Sequence, residues 1–194
     1  MVGLGNPGPA YAATRHNVGH MVVDEMVRRA GGRYSTARSL RADICSTRVS
    51  TDGLGGVGAD ADRVILLRPR TYMNESGASV GKAVPYYRVA PERLVVVHDE
   101  LDLELGQLRL KLGGGDAGHN GLRSIRSALG TGEFLRVRFG IGRPPGRQAP
   151  ADYVLRPIPT SLREEYAVQV QRAADAVLAL IADGLVSAQN EFNS

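Results

Sequence analysis

The run Leu94-Val95-Val96-Val97 places four apolar residues in succession and then breaks into His98-Asp99-Glu100-Leu101-Asp102. A strand with one wet face alternates apolar and polar residues. This one does not, which predicts a strand over Leu94–His98 buried on both faces. Such a strand needs helices on each side of its sheet, so the chain reads as an α/β protein. The carboxyl ends of these strands form the ligand edge of an open sheet, and here that end carries an imidazole and three carboxylates.

The remaining segments fit the same architecture. Ile44–Ser50 and Arg63–Leu67 are strand-like, joined by the Gly-rich segment Thr51–Asp62, which is expected to be a mobile hairpin loop. Gln107–Leu112 and Phe134–Ile141 alternate bulky apolar residues with Arg or Lys. The second should put Arg136 and Arg138 on one face and Leu135, Val137 and Phe139 on the other. Helices are expected at Val18–Ala30, stopped by Gly31-Gly32, and at Ser76–Tyr87, which Pro85 should end or kink. A third should run over Gly121–Leu129, capped by Asn120 and closed by Gly130. The last should begin with the capping box Ser161/Glu164 and reach Gly184. The expectation is one domain over residues 1–194, with a twisted mixed, largely parallel β-sheet flanked by helices.

Composition narrows the function. With 43% hydrophobic and 23% charged residues the chain can bury a core, which excludes wholesale disorder. A single cysteine, Cys45, excludes an internal disulfide framework or a Cys-rich zinc module and suits a reducing compartment. No apolar stretch approaches the roughly 20 residues that span a bilayer, and MVGLGNPGPAY lacks the basic and apolar regions of a secretory signal. A soluble cytoplasmic protein is expected, with no membrane partner. The net charge of +4 is uneven: residues 151–194 hold three Arg against six acids. Between Leu105 and Pro150, Arg109, Lys111, Arg123, Arg126, Arg136, Arg138, Arg143 and Arg147 face only Asp116 and Glu133. That cluster suits a phosphate-rich partner, with a solvated basic surface as the alternative.

Five short segments carry the chemistry. Gly3-Leu4-Gly5-Asn6-Pro7-Gly8 matches the dinucleotide fingerprint G-x-G-x-x-G, but Pro7 and Pro9 remove N–H groups that would bind phosphate. No acidic residue ends a second strand about 20 residues on, as ribose binding would need. The segment is better read as a tight turn presenting the Asn6 amide at a strand end. His16 and His20 are four apart, like a helical zinc pair, yet Asn17 stands where the zincin pattern needs Glu. His20 reads as a partly buried structural residue. His16, in the polar junction TRHN, is placed to accept a proton, and a carboxylate from the HDELD segment would fix its tautomer. Gly113–Gly121 is rich in Gly and contains the pair His119-Asn120, so backbone can approach a ligand there. Thr71–Gly77 brings the Asn74 amide to another strand end, where it would otherwise cap a helix. There is no G-x-S-x-G elbow, and Cys45 lies apart from every histidine motif. The remaining chemistry is a histidine activating water against a reactive acyl bond, with amides polarising its carbonyl.

VGLGNPGPAYAATRHNVG, RPRTYMNESG, VVVHDELDLELGQLRLKLGGGDAGHNGLRSI and FLRVRFGIGRPPG together resemble the bacterial peptidyl-tRNA hydrolase family, in order and spacing, across nearly the whole chain. The resemblance implies a monomeric esterase, independent of metal and cofactor, that cleaves a peptide from the 3′-terminal ribose of tRNA. It casts His16 as the catalytic base and Asp99 as its orienting partner. Asn6, Asn74 and Asn120 become substrate-positioning amides, and Tyr11 and Met73 cleft-wall residues near the peptide and terminal adenosine. Lys111 and Arg138 become the pair that clamps the tRNA 5′-phosphate. The main rival is an RNA-binding homologue of the same fold without hydrolytic activity, against which the retention of His16, Asp99 and the three amides argues. Three features depart from the family pattern. Only Met1 and Val2 precede GLGNPG, so the first strand should be short; Pro85 interrupts a helix; and His20 stands where an apolar residue is usual.

Overall fold

The computed structural model describes residues 1–50, 53–55 and 61–193. In chain order the strands are β1 (Val2–Gly3), β2 (Ser35–Ala37), β3 (Ala42–Ser50), β4 (Gly53–Leu54), β5 (Asp62–Pro69), β6 (Val95–Glu100), β7 (Leu108–Leu112) and β8 (Leu135–Gly140). The helices are α1 (Val18–Arg29), α2 (Ser76–Tyr86), α3 (Asn120–Leu129), α4 (Pro150–Val154), α5 (Arg163–Ala182) and α6 (Gly184–Phe192).

The sheet runs β2-β3-β5-β1-β6-β8-β7, with β4 paired to β3. Its centre, β5-β1-β6-β8, is parallel, and its outer pairs are antiparallel. This is the expected mixed α/β architecture. All six residues of β6 are buried, as the unbroken apolar run requires. The strand continues two residues beyond the expected end, because Asp99 and Glu100 still pair with Phe139 and Gly140 of β8. Asp99 and Glu100 therefore belong to the strand and not to a loop after it. On one side α1, α5 and α6 close over Val22, Met26, Val97, Phe139 and Val177. On the other, α2 and α3 close over Leu4, Val80, Val96, Ile125 and Phe134. Each such fully buried side chain stabilises the fold by about 1.5–3 kcal/mol.

Several sequence expectations are corrected in detail. Asn120 does not cap α3; the His119 imidazole does, accepting from the N–H groups of Gly121 and Leu122. Gly130 closes that helix at φ 69° as expected. The Ser161/Glu164 capping box does not form. A 3-10 turn at Thr160–Leu162 precedes α5, and the Arg163 N–H is satisfied by the Thr160 carbonyl. Gly184 does not end the helical region. It turns the chain at φ 79° and α6 restarts there. That helix covers the sheet edge: Asn193 accepts from the Leu110 N–H, and Gln189 and Asn193 donate to its carbonyl. An edge strand is thus closed to further pairing. Residues 51, 52 and 56–60 of the anticipated mobile loop lie outside the described residues, and Gly53–Leu54 form β4. Among the described residues no helix is long and apolar enough to cross a membrane.

One contact places the amino end of α1 against the first strand. A Cβ on Gly3 would sit 1.9 Å from the Gly19 carbonyl oxygen, and one on Gly19 would sit 2.3 Å from the Leu4 nitrogen. Two missing side chains let helix and strand backbones touch, and the His20 N–H reaches the Leu4 carbonyl at 3.1 Å. Backbone cannot yield as a side-chain tip can, so Gly19→Ala should destabilise by about 3 kcal/mol, near the upper end of ordinary overpacking costs. A thermal melt should show a loss of roughly 6–12 °C. An unchanged melting temperature would show that the contact is not tight.

Candidate active site

The short β1 ends at the ligand edge, and the chain then turns through Gly5-Asn6-Pro7. Asn6 is buried and locked from three sides. Its N–H donates to the Asn17 Oδ1 at 2.9 Å, its carbonyl accepts from the Asn17 Nδ2 at 2.9 Å, and its own Oδ1 accepts from the Met73 N–H at 2.8 Å. The last bond decides the amide's orientation, since only the oxygen can accept. The Nδ2 hydrogens are left for whatever enters the cleft.

His16 sits in a 3-10 turn, Arg15–Asn17, just before α1. Its Nδ1 lies 2.8 Å from Asp99 Oδ1 and 3.0 Å from Oδ2. The Asp99 side chain is only 3% exposed and that of His16 12%. A second imidazole meets the same carboxylate, with His119 Nε2 3.1 Å from Asp99 Oδ1. The α3 amides settle the tautomer of His119. Its Nδ1 accepts from them, so Nε2 carries the proton and donates to Asp99. His16 likewise donates from Nδ1, which leaves its Nε2 as a bare acceptor on the cleft. Behind both, His98 donates from Nδ1 to the Asp99 carbonyl at 2.8 Å.

The electrostatics follow from this geometry. Burial opposes a charge on Asp99, yet His16 and His119 outweigh it and hold the carboxyl well below the usual range. Burial alone would lower the His16 pKa, but the Asp99 charge and hydrogen bond bring it above its ordinary value. His98, buried and beside His119, is pushed down to about 3 and stays neutral. His16, Asp99 and His119 are also the group among the described residues whose donor atoms lie close enough, within 4.8 Å, to hold a metal ion. Hydrogen bonds already join the three.

The cleft has a volume of about 730 Å³. Asn6, His16, Met73, Asn74, Asp99 and Asn120 all line it, which brings together six of the nine site residues expected from sequence. Asn74 lies in a 3-10 turn before α2, and Asn120 is the first residue of α3. Met73 is buried, with Sδ 2.6 Å from where a Cβ on Gly121 would stand, so the glycine makes room for it. Helix α4 supplies the facing wall through Pro150, Ala151 and Val154. Tyr11 stands outside the lining, edge-to-face with the exposed Tyr72 at 6.2 Å.

Lys111 and Arg138 also lie outside the cleft, on the neighbouring strands β7 and β8. Arg109 pairs with Arg138 and Lys111 with Arg136, so all four project from one face of the sheet. Arg138 donates from Nε to the buried Glu100 carboxylate at 3.0 Å. Arg136 is not part of an exposed stripe. It is 3% exposed and donates to the carbonyls of Gly114, Gly115 and Gly132, pinning the glycine loop that leads into His119.

His119 is the residue that sequence reasoning underused. It was visible in the glycine cluster as a His-Asn pair before a helix, but imidazole caps are uncommon and Asn120 was the obvious capping candidate. Glu100 and Arg136 were likewise hidden, because no local pattern announces a buried ion pair or a guanidinium folded onto loop carbonyls.

Residues 1–194 match the family model described as peptidyl-tRNA hydrolase. The chain is 58% identical over 194 residues to the peptidyl-tRNA hydrolase of Cutibacterium acnes, covering 100% of this chain and 97% of the relative. It is 50% identical to that of Mycolicibacterium smegmatis over 194 residues, covering 100% and 96%. The crystal structure of peptidyl-tRNA hydrolase from Acinetobacter baumannii superposes with a TM-score of 0.87 at 36% identity, covering 100% of this chain and 93% of that one. With its whole length matched in sequence and fold, the chain belongs to the peptidyl-tRNA hydrolase family of enzymes.

Proposed function

We propose that this chain, acting as a monomer in the cytoplasm, hydrolyses the ester between the peptide and the 3′ ribose of tRNA, with His16 as general base and Asp99 as the group that orients it. The observation that carries this reading is the 2.8 Å bond from His16 Nδ1 to Asp99, which leaves Nε2 bare on the cleft. Nε2 removes a proton from water as the oxygen attacks the ester carbonyl carbon. The Asp99 charge stabilises the imidazolium that forms, and that imidazolium returns the proton to the departing ribose oxygen. The Nδ2 of Asn6 donates to the oxyanion that develops on the carbonyl. Asn74 and Asn120, both lining the cleft, position the peptide and terminal ribose beside it. Met73 forms the wall near the peptide, and the ring of Tyr11 packs near the terminal adenosine, where Tyr72 adds a stacking face. Lys111 and Arg138 take the tRNA 5′-phosphate. A binding-only homologue would have no use for a buried carboxylate that accepts from two imidazoles.

Release of tRNA from N-acetylaminoacyl-tRNA by His16→Ala should be slower in kcat by about 10²–10⁴. Wild-type turnover should persist in EDTA, because no step requires a metal. Less than a tenfold loss would remove His16 from the mechanism, and abolition by EDTA would move the chemistry to an ion. Asp99→Asn should lower kcat and also shift its pH dependence. The carboxylate raises the His16 pKa while burial lowers it, so removing the charge should move the acid limb of the profile to lower pH. A limb that stays in place would mean that Asp99 does not govern His16. Lys111→Ala and Arg138→Ala should chiefly raise KM and flatten its log–log salt dependence by roughly 0.7–0.9 per lost phosphate contact. Unchanged slopes would make that face a solubilising surface.

A further inference from the structure

The cationic face of β7 and β8 meets the catalytic cleft at one side chain. Glu100 lines the cleft from the last position of β6, one residue beyond Asp99. Its Oε2 accepts from Arg138 Nε at 3.0 Å, and its Oε1 accepts from the Asp102 N–H at 3.2 Å. Both carboxylate oxygens are thus engaged. The sheet register explains how the pair meets. His98 stands opposite Arg138 and Glu100 opposite Gly140 in the parallel pairing of β6 with β8, so Glu100 and Arg138 are diagonal neighbours on one face. Gly140 puts no side chain between them.

The two partners lie at different depths. The Glu100 side chain is 9% exposed and that of Arg138 27%, so the guanidinium reaches outward from a carboxylate anchored beneath it. Only Nε enters this bond. The four hydrogens on Nη1 and Nη2, the fork that matches two oxygens of a phosphate, lie outside it. The surroundings call for such an anchor. Arg109 is directly opposite Arg138 in the antiparallel pair with β7, and Lys111 and Arg136 occupy the next positions on that face. Like charges directly opposite repel, so an untethered guanidinium would turn away from the cluster. An arginine already ordered in the free enzyme also loses less rotamer freedom when an anion binds.

We propose that Glu100 is a positioning residue for tRNA binding, which holds Arg138 by Nε so that its Nη edge faces the 5′-phosphate. The proposal rests on Arg138 as part of the phosphate clamp. It also ties that clamp to the catalytic strand, since Glu100 follows Asp99 directly in β6.

The test measures KM for N-acetylaminoacyl-tRNA with its 5′-phosphate and after removal of that phosphate by a phosphatase. The ratio of the two values is the advantage that the phosphate confers. Wild type should show the lower KM on the phosphorylated substrate. Glu100→Ala removes the carboxylate, and Glu100→Met removes it while keeping a side chain of similar length. Each should cut the advantage by about fivefold or more, the worth of one lost hydrogen bond. If Glu100→Ala fails to fold, Glu100→Met decides. In an Arg138→Ala background the same substitutions should change the ratio no further. An unchanged ratio in the single variants, including one in which KM rises equally on both substrates, would make the ion pair purely structural and overturn the proposal. So would a larger ratio, expected if the carboxylate merely neutralises Arg138, or a further fall in the background without Arg138. A wild-type KM indifferent to the 5′-phosphate would overturn the clamp itself, and the role of Glu100 with it.

Discussion

The site depends on a single buried carboxylate that accepts from two imidazoles. Asp99 is held at the end of a strand sealed on both faces, where an ionised side chain survives only if it is fully partnered. His16 and His119 supply that partnership; Asp99 limits His16 to one tautomer, as the α3 amides limit His119. Removing either imidazole would leave the charge short of a donor. Removing the carboxylate would free the His16 ring and lower its basicity. The interaction that makes the acid tolerable in the core is therefore also the one that raises the basicity of His16.

The scaffold brings these three side chains from distant parts of the chain. Asp99 is fixed by its pairing with Phe139 in β8. His16 is placed by its turn, which lies between the close approach of Gly19 to Gly3 and Leu4 and the two hydrogen bonds of Asn17 to Asn6. His119 is fixed by its own helix, whose first free amides it caps, and by Arg136, which gathers the carbonyls of the approaching loop. Buried arginine and unpaired helix amides, two ordinary costs of folding, are both resolved in ways that orient the site.

The legible part of the fold was the part governed by burial on both faces. The apolar run ending in β6 announced a covered sheet, and the periodicity of Val18–Ala30 announced α1 to within one residue of its end. The pairing of His16 with a carboxylate of the HDELD segment was legible because a histidine at a polar junction gains a fixed tautomer from one, and the family resemblance singled out Asp99. Chain ends of helices were less so: Ser161 and Asn120 are favourable caps by residue type, but a 3-10 turn and an imidazole took those roles. Helix α6 was hidden by Gly184, which reads locally as a stop and serves in the fold as a corner. The second donor to Asp99 and the Glu100–Arg138 pair arise from contacts across long sequence separations. No window of sequence contains them.

The most direct test of the central claim is the protonation of the two rings, read by ¹⁵N NMR of the imidazoles near pH 8. The account predicts that His16 carries its proton on Nδ1 and His119 on Nε2, and that in Asp99→Asn the His16 assignment weakens while His119, held by the α3 amides, keeps its own. A His16 ring protonated on Nε2 in the wild type would contradict it, because the nitrogen assigned to take a proton from water would already hold one.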